Sequence, residues 1–187
     1  MLTTIPGTML PFEEGLEQNA FAVLTPLLSV TRGLTLSQIS EVTGLQGSTI
    51  QNWVKRGWVA NPKNRRYEER QVARVILINM LKSSLQLETI VSLMKYVNGS
   101  VEDAADDIIP DRELFNMLCR IIFLEDAQHS FDRDALREII RQVTADYEEP
   151  VAGARERLTK ALAIMTLAYL SGEVQRMAQA ACDDIGI

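Results

Sequence analysis

Cysteine and histidine are almost missing from this chain, and their scarcity removes much of metal and catalytic chemistry. Its 187 residues hold two cysteines, Cys119 and Cys182, and one histidine, His129. The two thiols stand far apart in apolar, helix-like surroundings and read as buried free cysteines, not as a disulfide or a thiolate metal site. A single histidine leaves a zinc site or a histidine acid–base group without partners. Long apolar runs are missing as well. No stretch of about 18 apolar residues runs without a charge, so no transmembrane helix is expected. The opening MLTTIPGTMLPFEEGLE lacks the basic start and apolar core of a secretory signal, which makes the cytoplasm the expected location. Nucleophile-elbow, phosphate-loop and dinucleotide motifs are absent too. With no constellation of acid, base and nucleophile, neither an enzyme nor a cofactor is expected.

What is present is an ordinary soluble composition, 47% hydrophobic and 24% charged, with its charge unevenly placed. The chain as a whole carries −6. From Thr31 to Lys95, however, ten lysines and arginines face four glutamates, a local +6 that leaves −12 elsewhere. A basic segment in an acidic whole points to a polyanion-binding face on a body that repels nucleic acid.

The pattern along the chain is mainly all-α. Residues 1–12 look loose, because Pro6, Gly7 and Pro11 interrupt any period. Glu13–Val30 reads as a helix with Leu16, Ala20, Val23, Leu24, Leu27 and Leu28 on one side, broken or kinked at Pro26. Leu36–Thr43 is a short helix capped by Thr35 or Ser37, with Gly44 at its end. A second short helix starts at Gly47 or Ser48 and stops at Gly57, which completes a helix-turn-helix pattern. Trp58–Tyr67 is a small hairpin or loop wing. Helices follow over Glu68–Lys82, Leu87–Val97, Pro110 to about Ala127, Asp132 or Asp134 to about Tyr147, and Val151 to about Asp183. Asn98-Gly99-Ser100 marks the best boundary, which gives an N-terminal tail and helix (1–30), a head (31–97) and a helical domain (101–187).

In the generic mechanism of a helix-turn-helix, the second helix enters the major groove and its polar side chains meet base edges. Ser48, Thr49, Gln51, Asn52 and Lys55 are suitable groups, while Ile50, Trp53 and Val54 hold that helix to the core. Cations of the wing would touch phosphates, which gives affinity and register without sequence information.

ISEVTGLQGSTIQNWVKRGWV followed by RRYEERQVARVILINMLKSSLQLETIVSLM resembles the N-terminal winged-helix domain of MerR-type bacterial transcription regulators. The shared progression is Thr43-Gly44, Thr49-Ile50, Trp53 and Gly57, then a wing ending in Tyr67, then a helix pair whose second member opens at Leu85–Ile90. The chain is also similar to an uncharacterised bacterial family built on a MerR-like domain, through TIQNWVK, PKNRRY and QVAR. The resemblance covers about Leu34 to Val97. It implies a winged helix-turn-helix with a minimal β wing, a C-terminal helical bundle and a regulator of double-stranded DNA. It further implies groove or backbone contacts from Ser48, Thr49, Gln51, Asn52, Lys55 and Arg56, and phosphate contacts from Lys63, Arg65, Arg66 and Tyr67. Two features depart from the MerR pattern. Gln51 stands where those proteins usually carry arginine, and the wing is compact.

Three readings stay open for the long C-terminal helix, which is apolar over more than one stripe: a bundle core, a homodimer interface, or a ligand pocket among Phe115, Met117, Phe123, Met165 and Tyr169. The acidic set Glu102, Asp103, Asp106, Asp107 and Asp111 matches no calcium loop and reads as a solvated linker. The expected function is a sequence-specific, homodimeric DNA-binding regulator whose effector is open. The alternative is a helical protein-interaction module that has lost DNA binding.

Overall fold

The computed structural model describes residues 3–128 and 132–185; His129 lies outside the described residues. Among the described residues, eight α-helices carry the fold: α1 (Thr25–Thr31), α2 (Leu36–Thr43), α3 (Gly47–Lys55), α4 (Glu69–Leu81), α5 (Leu87–Asn98), α6 (Asp111–Gln128), α7 (Arg133–Val143) and α8 (Ala154–Asp184). No helix among the described residues is long and apolar enough to cross a membrane. The mainly helical expectation holds. Strand pairing among the described residues is limited to isolated bridges.

The element around which the rest assembles is α4. Its residues from Gln71 to Ile78 are all buried, and it packs against α2, α5, α6 and α8. The sequence dictates this position: VILINML offers apolar groups on every side, and a helix apolar all round must be enclosed. Each of its buried isoleucines and leucines contributes about 1.5–3 kcal/mol of transfer free energy. One apolar core runs from Ile5 through α4 to Tyr169 on α8. The turn at Asn98–Ser100 therefore redirects the chain without separating the core.

Several boundaries differ from the sequence expectation. Residues 13–19 form turns, Ala20–Leu24 form a single 3-10 helix, and α1 begins only at Thr25. Pro26 lies in the first turn of α1, where its missing N–H leaves no hydrogen bond unmade. Ala20, Phe21, Leu24 and Leu28 are buried, whereas Val23 and Leu27 are exposed, because the 3-10 start shifts the period. The N-terminal segment is irregular, as expected, yet it is packed: Ile5 is buried and Phe12 lies against Phe123 with ring centroids 4.5 Å apart. Further along, α7 stops at Val143, before Tyr147, whose hydroxyl donates to the Ile108 carbonyl at 2.8 Å.

Of the five residues considered for a ligand pocket, three are packing groups, while Tyr169 is buried but lines a cavity of about 460 Å³. Phe115 meets Phe21 edge-on at 5.9 Å, Phe123 meets Phe12, and Met165 is fully enclosed. Cys119 is a buried thiol whose pKa is raised by that burial. Cys182 is half-buried near the end of α8.

Candidate functional site

Thr35 starts α2 with a reciprocal cap. Its Oγ1 accepts from the Gln38 N–H at 3.3 Å, and Gln38 Oε1 accepts from the Thr35 N–H at 2.9 Å. Gly44 ends the helix with φ of 70°, a left-handed turn that glycine makes without a side-chain clash. After this turn α3 lies against α2, held by Ile50 and Trp53, which are buried, and by half-buried Val54. Ser48, Gln51, Asn52 and Lys55 recur at helical spacing on the opposite side and are all exposed. Thr49 is half-buried beside them, and Arg56 is exposed just past the helix end.

The chain leaves α3 through Gly57 and enters the 58–67 segment. Lys63 and Arg66 exchange backbone hydrogen bonds of 2.9 and 2.8 Å around Asn64 and Arg65, whose φ values are 50° and 60°. Two left-handed residues in sequence make the tight turn that matches a twisted hairpin. Tyr67 then pairs with Leu34, from the segment before α2, through a second pair of bonds, both 2.8 Å. Gly33 is required there, because a Cβ at its φ of 118° would come within 2.8 Å of the Tyr67 carbonyl oxygen. From below, Gln71 donates to the carbonyls of Ala60 and Asn61 at 3.0 and 2.6 Å, and Arg74 Nε donates to that of Trp58 at 3.0 Å.

The ten residues expected to meet DNA are therefore not equal. Ser48, Gln51, Asn52 and Lys55 are displayed by α3, and Arg65 by the hairpin tip. Lys63 is exposed but pairs with Glu68 at 3.2 Å. Arg56 lies over the Trp58 ring at 5.0 Å and 3.5 Å from Glu88. Arg66 turns back to donate to the Gly33 carbonyl at 3.1 Å. Tyr67 is only 4% exposed, with its ring in the core and its pKa raised by burial. Arg66 and Tyr67 thus build the hairpin base more than they reach outward.

The acidic stretch corrects the expectation of a solvated linker at two of its five acids: Glu102, Asp103 and Asp106 are exposed, whereas Asp107 and Asp111 are not. Asp111 is buried, accepting from Arg74 Nη1 at 3.1 Å and from Asn98 Nδ2 at 2.8 Å. Asp107 pairs with Arg70 at 3.0 Å, and the same guanidinium donates to the carbonyl of Asp103 at 2.9 Å. Burial pushes the Asp107 carboxyl up to about 6, against the pull of Arg70. Asp106 accepts the Ser100 N–H at 2.9 Å. Two cations of the basic segment thus pair with two of the five acids, Arg70 with Asp107 and Arg74 with Asp111. The signal was readable: an arginine inside the apolar run of α4 must bring an anion with it.

Residues 28–118 match a family described as a domain of unknown function (DUF1836). The chain is also similar to the uncharacterized protein YkrK of Bacillus subtilis (strain 168), 25% identical over 171 residues, which span 84% of this chain and 72% of that protein. No solved structure matches. The family's match takes in α2, α3, the hairpin, α4, α5 and the first part of α6.

Proposed function

We propose that this protein is a double-stranded-DNA-binding regulator of MerR-like winged helix-turn-helix type, acting as a homodimer. One observation carries the reading: α3 turns Ser48, Gln51, Asn52 and Lys55 outward while Ile50 and Trp53 pin its other side. A rigid helix with amide, hydroxyl and ammonium groups on its free face suits the major groove, where Gln and Asn read adenine edges in pairs of hydrogen bonds. The compact hairpin serves as the wing, with Arg65 at its tip and Lys63 beside it placed for phosphates.

The dimer rests on α8. Its buried stripe ends at Gly172, and beyond that the helix projects. Ile164, Leu167, Ser171, Val174, Ala178, Ala181 and Ile185 alternate in steps of three and four along the opposite side, and all seven are exposed. This is the spacing of a coiled-coil seam, which is self-complementary, so a second copy of α8 is the occupant it fits. Two heads held this way would meet half-sites about 34 Å apart.

The test is fluorescence-anisotropy titration of sheared duplex DNA over a series of salt concentrations, beside Lys63→Ala/Arg65→Ala. Arg66 is left intact because it supports the hairpin. Log affinity should fall steeply with log salt, and the double variant should reduce that slope by about 1.8, two phosphates at about 0.9 each. No binding at low salt would overturn the proposal. It would favour the second reading, a protein-interaction module, which has the inward use of Arg70 and Arg74 and the apolar seam of α8 in its favour.

A further inference from the structure

Where α3 ends, beside the middle of α4 and the last turn of α5, lies a cavity of about 410 Å³. Arg56, Arg74 and Lys95 bring positive charge to its wall, Trp58 and Val91 bring apolar surface, and Glu102 is the one carboxylate among its lining residues, although Arg56 is also 3.5 Å from Glu88. Arg74 decides what the cavity would accept. Its side chain is 3% exposed, its Nε is taken by the Trp58 carbonyl and its Nη1 by Asp111. Its Nη2 is buried and has no hydrogen-bond partner among the described residues. A guanidinium N–H left unpaired away from bulk water is costly, and an acceptor oxygen within reach relieves that cost.

A plainer account covers part of this arrangement. Cations near the C-terminal ends of α3 and α5 complement the helix dipoles, which explains Arg56 and Lys95. Arg74, in the middle of α4, is held by Asp111 and the Trp58 carbonyl, but neither accounts for its unpaired Nη2.

We infer that this cavity binds a small organic anion. Its carboxylate or phosphate oxygen meets Arg74 Nη2 and the charges of Arg56 and Lys95, and its apolar part lies against Trp58 and Val91. The site goes beyond DNA recognition and does not depend on it. Its position matters all the same. The cavity wall includes the residues that lead directly from α3 into the hairpin, so an occupant would tie that link to α4 and α5.

Trp58 lines the cavity and Trp53 is enclosed in the core, so intrinsic tryptophan fluorescence reports on occupancy. The experiment titrates the full chain with benzoate and with phenyl phosphate, at ionic strength matched with sodium chloride, and repeats each titration by calorimetry. A saturable fluorescence change with matching heat is expected for at least one probe, and which one responds tells carboxylate from phosphate. Arg74 itself is unsuitable for substitution because it holds the core together. Arg56→Gln and Lys95→Gln, both at exposed side chains, should each weaken binding about tenfold, the worth of one charge-assisted hydrogen bond. Lys82→Gln, away from the cavity, should leave it unchanged. No saturable response up to millimolar probe, or equal affinity in the Arg56→Gln/Lys95→Gln variant, overturns the inference. DNA is absent from these titrations, so their failure is distinct from a failure of the regulator proposal.

Discussion

Arg74 Nη1 and Asp111 Oδ2 meet 3.1 Å apart across the core, one from the middle of α4 and the other from the first turn of α6. Both side chains are almost fully enclosed, so each needs the other. Asp111→Ala should destabilise the fold by about 3–5 kcal/mol, because it strands a buried guanidinium. Replacing both, as Arg74→Met/Asp111→Leu, should be less harmful than Asp111→Ala alone. Urea unfolding followed by circular dichroism measures both variants beside the parent protein, and a double variant that loses as much as Asp111→Ala would contradict this account.

The neighbouring pair sets a pH dependence. Asp107 has its carboxyl raised to about 6 in the folded state, from an ordinary 3.8, because burial disfavours its charge. Between those values the folded chain binds more proton than the unfolded one, so this residue's contribution to stability falls as pH rises from about 4 to about 6. Asp107→Asn, which keeps an acceptor for Arg70, should therefore gain on the parent protein across that window and hold its advantage at pH 7. Melting temperatures of the two proteins taken pH by pH give the answer; parallel curves would remove Asp107 as the source.

On α3, Gln51→Ala and Asn52→Ala should change which sequence is preferred more than they change the salt slope. Each lost base contact should cost about 1–3 kcal/mol at one position of a selected site. Selection from a random duplex pool, run with parent and variants, tests this. An identical selected motif would place both side chains outside the groove.

Val174→Glu with Leu167→Glu puts charge into the α8 seam at two exposed positions. The parent protein should scatter light as twice the 21.0 kDa chain mass at micromolar concentration, and the variant as one chain with its helical content kept. A parent protein of single-chain mass would rule out the seam as a dimer interface.

Much of this architecture is legible in the sequence itself. The cap at Thr35, the stop at Gly44 and the inward set Ile50, Trp53 and Val54 follow from local rules that depend on a few residues each. The displayed face of α3 follows from the same periodicity. What escaped were long-range pairings. Nothing local to Asp107 or Asp111 says that Arg70 and Arg74, 37 residues earlier, will take them inside. Composition made the same stretch look like a solvated linker. The second stripe on α8 left three readings open, because an apolar period does not say whether its partner lies in the same chain; past Gly172 the described residues supply little cover. Residues 13–19 failed for a third reason, since an apolar period cannot distinguish a helix from a run of turns that ends in a 3-10 start.

The shared use of α4 has a consequence for modularity. Gln71 and Arg74 hold the hairpin from beneath, while other sides of the same helix are enclosed by α6 and α8. A head cut away at the Asn98–Ser100 turn would carry α4 with one flank bare and Arg74 without its carboxylate. Such a head is not a transferable cassette in the way that one joined to its body by a flexible tether would be. The stretch that the family model matches, residues 28–118, ends inside α6 and takes in Arg74 together with Asp111. What that match spans is thus the head with its keystone, not the head alone.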